Sequence, residues 1–144
     1  MKRMISAGLL VFMVMLSVLP VYASGAESIS TESGIISPRF TAILSISAGL
    51  SINSSGKAAC AGSVTPSSNT YTADMTVSLE KSTSNGWSTI KSWTGSGTGY
   101  VGVVIDAYYY VTSGTYRVCT TAKIYNSSGT LLETESFYSA ERTY

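Results

Sequence analysis

The chain has 144 residues, with nine Lys and Arg against eight Asp and Glu, no histidine and only two cysteines. The missing histidine excludes histidine general bases, the serine and cysteine triads built on one, and most zinc sites. The near-neutral balance, with basic residues scattered one at a time, lacks the basic footprint that a nucleic-acid partner requires.

Lys2 and Arg3, the apolar run from Ile5 to Leu19, then Pro20 with the small pair Val21 and Ala23, have the three-part layout of a secretory signal peptide. This predicts a signal-peptide helix over 1–23 and a mature chain from Ser24. Ser24-Gly25-Ala26 offers a second cut, as late as residue 26. The alternative is a retained membrane anchor, since the run is about long enough to cross a thin bilayer, so a membrane enters only through an uncleaved leader. No cysteine closely follows the run and the last residues are polar, so neither lipidation nor a second anchor is indicated. Free secretion is the expectation, with cell-surface association as a variant of it. Losing Lys2 and Arg3 leaves seven basic residues against eight acidic ones.

Residues 24–37 are rich in Ser, Glu and Gly and read as a flexible linker. From residue 38 to 144 the chain is predicted to be one domain of alternating strands. Phe40, Ala42, Leu44, Ile46, Ala48, Leu50 and Ile52 share one parity against Thr41, Ser45, Ser47 and Ser51. The turn Asn53-Ser54-Ser55-Gly56 follows, and Ala58, Cys60, Gly62 and Val64 then form one face of a second strand. After a loop at Thr65 to Asn69, Tyr71, Ala73, Met75, Val77 and Leu79 alternate with Thr72, Asp74, Thr76, Ser78 and Glu80, the cleanest period of two in the chain.

Asn85-Gly86 predicts a hairpin. Beyond it Trp87 and Trp93 have one parity and Ile90 the other, so either one of the three is misplaced or a bulge separates them. Gly95-Ser96-Gly97-Thr98-Gly99 is predicted to be a flexible loop, followed by a fifth strand with Val101, Val103, Ile105, Ala107, Tyr109 and Val111 on one face. Ser113-Gly114 is a turn. Tyr116, Val118, Thr120, Ala122 and Ile124 then face the core, Asn126-Ser127-Ser128-Gly129 repeats the earlier turn words, and Leu131 to Tyr138 supplies the last strand. Both Asn-Ser-Ser triplets also match the glycosylation pattern, but the turn reading is stronger. About seven short strands with no helix predict an all-β, antiparallel two-sheet β-sandwich of Greek-key type.

Ser113-Gly114-Thr115-Tyr116 followed by Cys119 resembles the tyrosine corner of immunoglobulin- and fibronectin-like sandwiches, although there the cysteine falls two residues after the tyrosine and here three. Over the whole chain, the leader, Pro38-Arg39-Phe40-Thr41, Ser45 to Val64, Trp87 to Trp93, the corner and Tyr138 to Tyr144 resemble a family of short, secreted, uncharacterised all-β proteins of Gram-positive bacteria, a domain of unknown function. The resemblance implies fold and compartment, and no catalytic or ligand residue can be carried over from it.

An exported pair of cysteines is expected to be oxidised. A Cys60–Cys119 disulfide would stabilise by at most about 4 kcal/mol. Parity opposes it, because Cys60 shares the face of Val64 while Cys119 lies opposite to Tyr116 and Val118, and a bulge near Val118 or Cys119 would reconcile the two. Paired cysteines and two free thiols therefore both stand.

For function, the residues point first to a non-catalytic extracellular interaction module for a protein or glycan, with no cofactor and no metal. Trp87, Trp93, Tyr100, Tyr108 and Tyr110 are the candidate ligand-binding residues, since flat rings stack on sugar faces. Their competing role is core packing and cross-strand filling. A membrane-active or self-assembling β protein is the alternative, because alternating Ser/Thr and apolar residues also build barrels and exposed edges add strands. A carboxylate hydrolase would need two of Asp74, Asp106, Glu133 and Glu135 to converge in one cleft.

Overall fold

The computed structural model describes residues 40–144. The expected signal peptide, linker and first two residues of the domain lie outside the described residues. Within them the strands are β1 (Ile43–Ile52), β2 (Lys57–Pro66), β3 (Thr72–Thr83), β4 (Gly86–Thr98), β5 (Val103–Tyr110), β6 (Thr115–Tyr125), β7 (Leu131–Tyr138) and the short β8 (Arg142–Thr143). A 3₁₀ turn over Gly99–Val101 joins β4 to β5.

All pairings are antiparallel and fall into two sheets, β1-β2-β5 and β4-β3-β6-β7, with β8 adding to β6. This is an immunoglobulin-like Greek key in which the fourth strand pairs with the third instead of the fifth. The expected sandwich is the fold.

The two inner faces meet with complementary volumes. The small sheet supplies Ile46, Ala48, Ala58, Cys60 and Val64, and the large one Met75, Val77, Leu79, Tyr116 and Val118, all buried. Gly62 lies at the closest approach, where a β-carbon would stand 2.6 Å from Thr120 Oγ1 and would also collide with Val77. Thr120 is wholly buried and its hydroxyl has no hydrogen-bond partner. A buried hydroxyl without a partner costs about 1–3 kcal/mol. Thr120→Val, which keeps the shape and removes the polar atom, is therefore expected to raise unfolding free energy by about 1 kcal/mol in urea titrations; a loss of stability would show that this hydroxyl is satisfied.

The turns follow from local chemistry. Asn53 Oδ1 accepts hydrogen bonds from the Ser55 and Lys57 amides, both at 3.0 Å, and Asn126 Oδ1 accepts from those of Ser128 and Thr130 at 3.1 and 2.9 Å. Gly56 and Gly129 take φ of 76° and 81° to complete each turn. The repeated Asn-Ser-Ser-Gly is thus one turn solution used twice.

Three irregularities redirect side chains. A register shift between Ile43 and Ser45 buries Ile43 and turns Leu44 outward, against the expectation that Leu44 faces the core. In β4 the register passes from Leu79↔Lys91 to Glu80↔Thr89, so Ile90 is the extra residue of a bulge. That bulge resolves the parity conflict: Ile90 and Trp93 both pack on the core, while Trp87 stays outside. A third shift lies between Ile124 and Tyr125, opposite β7.

The expected glycine loop is also corrected, because Gly95 and Gly97 lie inside β4. Their role is close packing. A β-carbon on Gly97 would run into the carbonyl of Gly102, and one on Gly95 would come within 3.1 Å of Val103 Cγ1. Absent side chains let the ends of β4 and β5 meet along one side of the sandwich.

The expected disulfide is not formed. Both thiols are free, Cys60 in the core of the small sheet and Cys119 on the outer parity of β6, beside Tyr138. No bulge in β6 near Val118 brings Cys119 inward, since its pairing with β3 is continuous from Thr72↔Tyr125 to Lys81↔Tyr116. Burial pushes the Cys60 thiol up to about 12 and keeps it protonated at neutral pH. The Cys119 thiol raises the Tyr138 phenol, with burial adding to the effect and Arg117 opposing it.

Candidate functional site

Strand alternation sends Ser47, Gly49 and Ser51 of β1, Ala59 and Ala61 of β2, and Asp106 and Tyr108 of β5 to the outer face of the small sheet. The register aligns them in rows, Gly49 beside Ala61 beside Asp106, and Ser51 beside Ala59 beside Tyr108. Small side chains at the middle of each row leave a depression that the residues around it enclose. The result is a trough of about 460 Å³, lined by these residues and by Ala48, Leu50, Cys60 and Ala107 of the same three strands. Such a volume falls within the range of ligand pockets.

The trough has a polar and an aromatic wall. Along β5 stand the exposed Asp106 carboxylate and the Tyr108 ring, 63% exposed, with Lys57 Nζ at 4.0 Å from the ring centroid. Tyr110 follows two residues on, 69% exposed and opposite Lys57. Across the sheet, Ser47 and Ser63 hydroxyls hydrogen-bond at 2.6 Å and leave further acceptor capacity facing solvent. A flat ligand laid here would meet one ring, one carboxylate, one ammonium and a row of hydroxyls.

Of the five aromatic residues expected to bind ligand, only Tyr108 and Tyr110 share this face. Tyr100 sits on the 3₁₀ turn at the other end of β5, exposed beside Val101. Trp93 is partly buried and packs against the core, paired with Val77 across β3 and β4. Trp87 belongs to the outer face of the large sheet. There the Arg117 guanidinium is stacked between the Trp87 and Tyr138 rings, at 4.3 and 4.2 Å, while its Nε bonds Glu80 at 2.7 Å. This stack ties β4, β3, β6 and β7 together and covers one face of the indole, as Lys57 covers one face of the Tyr108 ring.

Asp74 and Asp106 lie on different sheets, whereas Glu133 and Glu135 share one parity of β7. Asp74 faces out from the large sheet and Asp106 from the small one. Glu133 turns to the edge of β1, where its carboxylate accepts the successive amides of Thr41, Ala42 and Ile43 at 3.3, 2.7 and 3.1 Å. It thereby fastens the entry of the chain into β1. Glu135 lies two residues along β7.

The residues that sequence reasoning missed are Gly49, Ala59 and Ala61, the floor of the trough. Their outward parity and small size were visible, but a floor exists only once register sets them beside Asp106 and Tyr108.

Fold and surface together define an immunoglobulin-like β-sandwich domain with an aromatic-walled trough on its three-stranded sheet. No protein-family model matches the chain, and no curated protein matches it.

Proposed function

We propose that this is a secreted, non-catalytic binding module of the bacterial surface or envelope, as the likeness to short exported Gram-positive proteins implies. Its ligand is an extended glycan laid in the trough of the three-stranded sheet. The single observation that carries the reading is the pairing of a small-residue floor with the exposed Tyr108 ring and flanking Asp106 and Lys57. Sugar faces stack on such rings, and their hydroxyls bond to carboxylates and serines. The absence of histidine, the separation of Asp74 and Asp106 onto different sheets, and the engagement of Glu133 by the amides of Thr41, Ala42 and Ile43 support a role without bond cleavage.

The test is calorimetric titration with a panel of envelope polysaccharides. At least one is expected to bind, Tyr108→Ala is expected to weaken it about tenfold, equivalent to roughly 1.4 kcal/mol, and Trp87→Ala is expected to leave it unchanged. Because Trp87 and Trp93 both belong to β4 of the other sheet, tryptophan fluorescence should barely respond. A glycan that binds wild type and Tyr108→Ala equally, or none that binds at all, would remove this reading.

A further inference from the structure

The edge of β5 carries a definite pattern of free backbone groups. Its register with β2 runs unbroken from Lys57↔Tyr110 to Val64↔Val103, and one step beyond, the Val111 amide donates to the Gly56 carbonyl at 2.8 Å. Bonded positions alternate in an antiparallel ladder, so Val103, Ile105, Ala107 and Tyr109 point their backbone groups at β2. Val104, Asp106, Tyr108 and Tyr110 point theirs to the open side, where β5 has no strand partner among the described residues.

The one charged residue on this edge is Asp106. Residues 103–110 hold no lysine, no proline and no register shift. Three of the four side chains at the open positions are large and exposed, Val104 at 68%, Tyr108 at 63% and Tyr110 at 69%.

We infer that a second copy of this chain pairs with β5, antiparallel, about a two-fold axis at Ala107, joining two three-stranded sheets into one continuous sheet. Register selects that axis. It sets Val104 against Tyr110 and Asp106 against Tyr108 of the second copy, twice each, so every open backbone position is used in about eight hydrogen bonds. An axis at Asp106 would oppose two carboxylates, which is destabilising. An axis at Tyr108 would carry Val104 past the strand to Thr112 and leave it without a bonded mate.

Charge agrees with the same register. Tyr108 bears Lys57 Nζ over its ring, so each Asp106 carboxylate meets the ammonium of the other copy. Among the described residues the salt bridge present is Arg117–Glu80, and neither Asp106 nor Lys57 takes part in it. The smallest side chain of the strand, Ala107, lies on the axis. Pairing would place the two troughs on one face, but it does not depend on what they bind.

Sedimentation velocity of the full chain, in the form the cell accumulates and from micromolar to submillimolar concentration, tests the pairing. A concentration-dependent dimer is expected. Tyr108→Pro removes an N–H that the β2 ladder does not use, and it should raise the dissociation constant at least about tenfold while leaving the thermal melt nearly unchanged. Should that variant fold poorly, charges decide: Asp106→Lys should weaken the dimer about tenfold, and adding Lys57→Glu should restore it. A monomer at every concentration, or a dimer insensitive to both the charge reversal and its rescue, would overturn the inference.

Discussion

Tyr116→Phe is expected to lower the unfolding free energy by about 1.5 kcal/mol, and Tyr116→Ala by about 4 kcal/mol. The side chain is 1% exposed and among the largest fully buried groups of the core. Its hydroxyl donates to the Thr112 carbonyl at 2.6 Å, closing the corner through which the chain leaves the small sheet and enters β6. Lys81 reinforces it from β3, with Nζ 5.4 Å from the Tyr116 ring and 3.0 Å from the Ser113 carbonyl. Phenylalanine keeps the packing and strands the carbonyl, while alanine also opens a cavity at the junction of β6 with β8. Domains of this size have only about 5–15 kcal/mol in total, so the alanine variant should melt many degrees lower. Urea unfolding followed through the fluorescence of Trp93, which packs against the core, measures both. A phenylalanine variant as stable as wild type would show that ring packing alone holds the corner.

Gly102→Ala is expected to be nearly as damaging, at about 3 kcal/mol or more. Gly102 has φ 64° and ψ −152°, a conformation that essentially only glycine adopts. A β-carbon there would strike the Val64 carbonyl, a backbone atom of β2 that cannot rotate away. Gly97→Ala should be of the same order, since its β-carbon would press on the Gly102 carbonyl from the other side. Gly49→Ala is the contrast. Its nearest contact would be the Ala61 methyl at 3.7 Å, so its melt should match wild type within about 0.5 kcal/mol. Thermal melts of the three variants test the account; similar losses in all would mean that sheet spacing at β4 and β5 plays no special part.

The strands were legible because a period of two is a local property. Tyr71 to Glu80 shows it without interruption, and β3 buries Ala73, Met75, Val77 and Leu79 as that pattern requires. The Asn-Ser-Ser-Gly turns were legible for the same reason, since the Asn side chain and the Gly conformation satisfy the turn within five residues. Gly95 and Gly97 misled because a glycine that permits flexibility and a glycine that permits contact look alike until the neighbour is known. Trp93 has its parity reversed relative to Trp87 by the bulge at Ile90, which alternation could locate only as a conflict.

The candidate site was half visible. Tyr108 and Tyr110 stood out as outward aromatics of one strand. Nothing local joined them to Gly49 and Ala61, which are far away in the chain and come alongside only through the pairing of β1, β2 and β5.

What the amino-acid order determined by itself is the two-faced extended backbone, its turns and the corner tyrosine, because each depends on side chains within a few residues of one another. Which strands became neighbours, where bulges reversed a face, that the two thiols stay apart and that a trough lies beside Tyr108 were decided only in the tertiary structure. Those features depend on packing between distant segments, where sheet spacing and register, not local alternation, set which groups can meet.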